Sequence, residues 1–149
     1  MSSCPVDGWE RLNEIYGGKM FVEDFYGSEI CNTIEELSKI MQRRDNRGYN
    51  EFWICIDEEE MYPCIVISVF NEIAYLHYFE DEGEAGWSSV TKQSNGLDEE
   101  GMTKFYTNSG AEEIMIENRA VVTVDKAVEV VAEFFNTEEM PNCIEWEEL

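Results

Sequence analysis

Residues 51–79 read EFWICIDEEEMYPCIVISVFNEIAYLHYF, and they predict three neighbouring strands. The runs 51–57, 63–70 and 73–79 are rich in β-branched and aromatic residues, which favour strands. The acidic residues DEEE follow the first run, and only Asn71 and Glu72 separate the second run from the third. Connections this short predict an antiparallel meander.

A helix is predicted on each side of this meander. Thr33 and Glu36 form a capping box before apolar residues at helical spacing, and Gly48 is the predicted stop. Arg43, Arg44 and Arg47 gather near the predicted end of that helix, where positive charge complements the helix dipole. The second helix is predicted to begin after Thr123 or Asp125 and to run to Asn136.

Weaker strand patterns occupy residues 19–25, 87–91, 104–107, 113–116 and 143–147. No repeat or low-complexity linker divides the chain, and its 149 residues suffice for one core. We therefore predict a single domain, 1–149. Its fold is α+β, with a mainly antiparallel sheet and two principal helices packed on one face.

The chain is strongly acidic. It has 33 Asp and Glu against 10 Lys and Arg, a net charge of −23, yet 44% of its residues are hydrophobic. Such a composition predicts a folded body, not a disordered acidic segment. Its charge repels nucleic acid and anionic membranes and attracts basic proteins. We expect an inhibitor or binding module that stays monomeric until it binds a basic protein.

The five cysteines, Cys4, Cys31, Cys55, Cys64 and Cys143, are odd in number and scattered. This pattern indicates neither a disulfide framework nor a zinc site, and free thiols fit a reducing compartment. No apolar leader precedes Cys4 and no run reaches membrane-spanning length, so the expected location is cytoplasmic.

His77 is the one histidine of the chain. Strand alternation places it on the face opposite Leu76 and Tyr78, which is typical of a hydrogen-bonded strand histidine. No cysteine lies in a context that lowers a thiol pKa, so no catalytic residue, metal or cofactor is predicted. Two other classes stay open at this point: a small Cys or His enzyme, and an acidic scaffold or calcium-binding module.

Two carboxylate clusters are the candidate partner-binding residues. They comprise Asp57, Glu58, Glu59 and Glu60, then Glu80, Asp81, Glu82 and Glu84. Alternate strands of a meander end at the same edge of the sheet, so the clusters could form one acidic rim. Trp87, after Gly86 and the second cluster, is the candidate exposed anchor for a cation, whereas Trp53 within an apolar strand is expected in the core.

Several short motifs suggest a relationship. They are Tyr75-Leu76-His77-Tyr78, Gly86-Trp87-Ser88-Ser89, the valine-rich run into the second helix, and Pro141 followed by Ile144 and Trp146. With these motifs, residues 33 to 147 resemble the Imm-one (Imm1) family of bacterial immunity proteins. The resemblance implies a small α+β antidote that binds a toxin, frequently one with a nucleic-acid deaminase domain.

The resemblance marks Tyr78, Gly86, Trp87, Pro141 and Trp146 as family-like positions. Their implied job is to hold the sheet and the last helix together. The leading hypothesis is therefore a cytoplasmic immunity protein that neutralises a deaminase or nuclease without chemistry of its own. A toxin of this kind needs a basic groove for phosphates, and a carboxylate-rich surface competes for it.

Overall fold

The computed structural model of the protein describes residues 19–91 and 96–149. Cys4 and Trp9 lie outside these residues. The strands are β1 Met20–Asp24, β2 Gly27–Cys31, β3 Tyr49–Cys55, β4 Cys64–Phe70, β5 Ile73–Phe79, β6 Trp87–Val90, β7 Met102–Thr107, β8 Glu112–Glu117, β9 Val121–Thr123 and β10 Glu145–Glu148. The helices are α1 Ile34–Ile40 and α2 Val124–Thr137, with a short 3₁₀ helix at Asn118–Ala120.

Eight strands form one antiparallel sheet in the order β10-β6-β5-β4-β3-β1-β2, with β9 paired to β5 beside this path. The predicted meander is confirmed: β3 pairs with β4 and β4 with β5 along their full lengths. The turn at Asn71 and Glu72 is also confirmed, and Asn71 adopts the left-handed conformation with φ 49°.

Both helices pack on one face of the sheet, so the predicted α+β class is confirmed. Phe52 and Ile54 of β3 point to this face and share the core with Leu37 of α1 and Phe134 of α2. The period of two along β3 leaves Glu51, Trp53 and Cys55 on the opposite face. There the β7–β8 hairpin, which forms a separate two-stranded sheet, covers only part of the surface.

The helix signals are mostly confirmed. Thr33 Oγ1 accepts the Glu36 N–H at 3.1 Å, and Thr123 accepts the Lys126 N–H at 3.1 Å, which decides between the two predicted caps of α2. The predicted stop at Gly48 is wrong, because α1 ends at Ile40 and Arg44 donates to the carbonyl of Met41 at 2.7 Å.

Gly48 instead has φ 94° in the turn before β3. Arg47 also lies away from the helix end, pairing with Asp45 at 2.7 Å and lying over the ring of Tyr106. The turn after α1 therefore uses Gly48 and Arg47 to direct the chain into the sheet.

Candidate functional site

The two acidic clusters emerge from the same edge of the sheet. Cys55 ends β3 and lies opposite Cys64, which in turn lies opposite Phe79 at the end of β5. Because strands are about 4.8 Å apart, the loops after β3 and β5 start roughly 10 Å apart, across one intervening strand. We call the residues of these loops the acidic rim: Asp57, Glu58, Glu59, Glu60, Glu80, Asp81, Glu82 and Glu84.

The first loop is shaped by its own leading carboxylate. Asp57 Oδ1 accepts the N–H groups of Glu59 at 2.7 Å and of Glu60 at 3.1 Å, and the carbonyl of Asp57 accepts from Met61. This tight turn leaves the side chains of Glu58, Glu59 and Glu60 in solvent. Asp57 therefore has a local structural task, while the three glutamates carry exposed charge.

In the second loop, the first and the last carboxylate take part in the hydrogen bonds that shape the loop. Tyr78 Oη donates to Glu80 Oε2 at 2.6 Å, and the Glu80 N–H donates to Glu84 Oε1 at 2.6 Å. Asp81 and Glu82 are exposed between them. Burial, followed by the Cys64 thiol and the Glu82 carboxylate, raises the pKa of Tyr62 in the loop that precedes β4.

The family-like residues lie beneath this second loop and along α2. Tyr78 is fully buried, with its ring centroid 6.0 Å from Phe134 and 5.9 Å from Trp146. Burial, then the hydrogen bond to Glu80, raises the pKa of Tyr78, so its hydroxyl stays protonated as a donor. Trp146 Nε1 donates to the carbonyl of the buried Pro141 at 2.8 Å. These contacts join β5, α2 and β10.

Gly86 permits a close approach of two backbone segments. Its φ is 83°, and a Cβ there would lie 2.6 Å from the carbonyl oxygen of Tyr78 and 2.8 Å from His77 Nε2. That ring nitrogen donates to the carbonyl of Ala85 at 2.7 Å. Burial lowers the pKa of His77, so it is a neutral, hydrogen-bonded strand histidine.

Trp53 and Trp87, the two tryptophans of the central strands, are both partly buried. Trp87 is only partly exposed and packs against the core. Trp53, expected in the core, lies on the helix-free face and lines two cavities, of about 540 and 330 Å³. The expectation of a core Trp53 is wrong, because alternation along β3 buries Phe52 and Ile54 and turns Trp53 to the other side.

The sequence reasoning also missed Glu51, which is 7% exposed. Its carboxylate accepts from Thr107 Oγ1 at 2.7 Å and from Trp53 Nε1 at 3.3 Å. Burial raises the pKa of Glu51, although these hydrogen bonds favour its charged form. Alternation along β3 groups Glu51 with Trp53 and Cys55 on one face, but it does not tell which face stays uncovered.

Three of the four described thiols are poorly suited to nucleophilic chemistry. Burial raises the pKa of Cys31 and of Cys143 to about 11 each, with nearby glutamates adding to the effect. Cys55 and Cys64 face each other, and their hydrogen bond lowers the pKa of Cys55, whereas the same bond, followed by burial, raises the pKa of Cys64. A thiol attacks as its thiolate, so the raised pKa values of Cys31, Cys64 and Cys143 disfavour reaction at neutral pH.

Two further features concern metal binding and membrane insertion. Among residues 19–91 and 96–149, no group of three or more His, Cys, Asp or Glu is arranged to hold a metal ion. The helices in this part of the chain are too short or too polar to cross a bilayer.

Comparison with known proteins gives two findings. A family model described as Immunity protein Imm1 matches residues 28–148, which include both loops of the acidic rim. The double-stranded DNA deaminase immunity protein of Burkholderia cenocepacia (strain H111) is 29% identical over 130 residues. That alignment covers 87% of this chain and 100% of the relative.

Proposed function

Because the chain belongs to the Imm1 family of immunity proteins, which are inhibitors and not enzymes, we propose that it neutralises a nucleic-acid-targeting toxin. The toxin is a deaminase or a nuclease, and the acidic rim binds to its basic substrate groove. The protein acts in the cytoplasm and is a monomer until it meets the toxin. The name of the relative, an immunity protein for a double-stranded DNA deaminase, favours a deaminase.

The placement of the two acidic loops is the observation that carries this proposal. Both follow strands that end at one edge of the sheet, and they present Glu58, Glu59, Glu60, Asp81 and Glu82 to solvent. A toxin that acts on DNA or RNA must attract phosphates with lysine and arginine. The exposed carboxylates of the rim compete for those same groups and speed the encounter.

The first experiment measures protection of the cell and binding to the toxin together. The protein is co-expressed with the toxin domain encoded beside it, and both cell survival and recovery of a one-to-one complex are scored. We expect rescue with a stable complex, and the purified protein should stop the toxin's activity on its nucleic acid at equimolar ratio. Loss of both rescue and complex would contradict the proposed function.

A pair of charge-reversal variants tests the rim itself. Asp81→Lys with Glu82→Lys changes the net charge from −23 to −19, as does Glu99→Lys with Glu100→Lys in a separate exposed loop. Neither side chain of the rim pair takes part in the hydrogen bonds that shape its loop. We expect the rim pair to slow association about 10-fold at low salt, beyond the effect of the control pair. Equal association rates for the two variants would remove the rim from the interface.

A further inference from the structure

An aromatic groove lies beside the acidic rim on the helix-free face. It has a volume of about 540 Å³, within the size range of ligand sites. We define the aromatic groove by its apolar side chains Phe21, Ile30, Trp53 and Met61 and its carboxylates Glu23, Asp57 and Glu58. It is built from β1, β2, β3 and the loop after β3, so the first loop of the rim supplies part of its wall.

The apolar part of the groove is unusually open to solvent. Ile30 is 51% exposed and Met61 is 38% exposed, and they lie in one concavity with the rings of Phe21 and Trp53. The β7–β8 hairpin covers the neighbouring part of this face, where Thr107 reaches Glu51, and leaves the groove uncovered. Exposed apolar patches with a polar border mark interaction sites.

The negative charge of the groove favours a cationic partner. Glu23, Asp57 and Glu58 are exposed at the groove, and no described lysine or arginine lines it. Glu29 also lines the groove, but its carboxylate is already paired with Arg43 at 2.8 Å. A partner that enters this groove therefore meets carboxylates around an indole ring, which is the environment that an arginine guanidinium prefers.

Trp53 is held in place before any partner arrives. Its Nε1 donates to Glu51, and Glu51 accepts in turn from Thr107 of the hairpin. Glu51 is a positioning residue: burying a carboxylate is unfavourable, but here it fixes the orientation of the indole. An anchor that is already ordered loses less entropy on binding, which increases affinity.

We propose that the aromatic groove is the anchor site for the toxin and binds an arginine-bearing basic loop. The guanidinium lies over the Trp53 ring and pairs with Asp57 or Glu58, while the aliphatic stem contacts Met61 and Ile30. This inference rests on the proposed function and adds a specific anchor to the general attraction of the rim. The rim increases the association rate, whereas the groove slows dissociation.

Two matched methionine variants test the groove. Met61→Ala and Met115→Ala remove the same atoms from residues that are 38% and 49% exposed, but only Met61 lines the groove. With the co-encoded toxin domain as the probe, we expect Met61→Ala to dissociate several-fold faster and Met115→Ala to match the wild type. Trp53→Ala should weaken binding about 30-fold, the fold-change of a 2 kcal/mol hot spot, and Trp53→Phe should restore part of it.

A footprint on the unmutated protein keeps the test independent of folding effects. The free protein and its toxin complex are exposed briefly to hydrogen peroxide, and sulfoxide at Met61 and Met115 is measured by mass spectrometry. We expect the complex to protect Met61 several-fold and to leave Met115 unchanged.

The outcomes separate the two proposals. Unprotected Met61 within a stable, neutralising complex would overturn the groove while the proposed function stands. Absence of any complex would overturn both. Protection of Met61 in the free protein at rising concentration, together with a doubled mass, would show that a second copy fills the groove and would also overturn the proposal.

Discussion

Substitution of Gly86 tests how the second loop of the rim is attached to the sheet. Alanine at this position must adopt φ 83°, and its Cβ would lie 2.6 Å from the carbonyl oxygen of Tyr78. Gly83 has a similar φ of 85°, but a Cβ there meets no atom within 4 Å. Gly83→Ala therefore carries only the backbone strain, about 1 to 2 kcal/mol. Gly86→Ala adds an overpacking term of roughly 1 to 3 kcal/mol.

The expected loss of unfolding free energy is thus about 1.5 kcal/mol for Gly83→Ala and about 3.5 kcal/mol for Gly86→Ala, taking the middle of each range. In a protein of this size each kcal/mol lowers the melting temperature by roughly 2 to 4 °C, so the two variants should differ by about 4 to 8 °C. Thermal and urea unfolding, followed by circular dichroism, measure this difference. Substitutions at exposed sites usually change stability by less than about 0.5 kcal/mol. Losses that agree within this margin would refute the close approach of Gly86 to Tyr78 and His77.

Three further predictions concern packing, a buried acid and the thiols. Because the ring of Trp146 is only partly buried, Trp146→Ala should lower the unfolding free energy by about 2 to 3 kcal/mol, and Trp146→Phe by about 1 kcal/mol. A Trp146→Ala variant with unchanged melting and lost toxin binding would contradict the structural role. The raised pKa of Glu51 means that its contribution to stability is present below the ordinary value near 4.5 and is lost as pH rises through the folded-state pKa. Glu51→Gln should therefore gain stability relative to the wild type as pH rises from 4 to 7, and parallel urea-unfolding profiles would argue against a buried carboxylate. In a Cys4→Ser background, Cys31 and Cys143 of the native protein should react with iodoacetamide at pH 7 at least about 10-fold more slowly than in the unfolded chain. The reason is that a pKa of about 11 leaves roughly one thiol in ten thousand ionised at this pH. Fast labelling at either site would contradict the raised pKa values.

The central sheet and both helices were predictable from the sequence because their signals are local. Alternation, a two-residue turn, a capping box at Thr33 and apolar residues at helical spacing indicate β3 to β5, α1 and α2 without knowledge of the tertiary fold, although the cap of α2 stayed open between Thr123 and Asp125. The edge strand β2 was missed because four of its five residues are exposed, so GSEIC shows no alternation of apolar side chains. The strands of the β7–β8 hairpin were predicted as well. Their separation from the main sheet could not be predicted, because it depends on long-range strand pairing.

The acidic loops were predictable for the same local reason, whereas the aromatic groove was not. Both loops follow recognisable strands, and antiparallel order alone brings their start points to one edge. The groove requires Phe21, Ile30, Trp53 and Met61 from four segments, and its key ring lies in a run that is apolar on both faces. Such a run favours a core assignment for every member, so the side that remains uncovered depends on where the hairpin packs.

The distribution of charge separates the part of the molecule that holds the fold from the part that we propose meets the toxin. The basic side chains Arg43, Arg47, Lys104, Arg119 and Lys126 form their ion pairs with acids outside the rim. Between described residues, no such pair reaches the rim, so its carboxylates repel one another in the free protein. Salt should therefore stabilise the free fold slightly by screening this repulsion and weaken the toxin complex by screening its attraction. We therefore expect the free fold and the toxin complex to respond to salt in opposite directions, because the apolar core stabilises the fold and the charge of the rim serves the proposed complex.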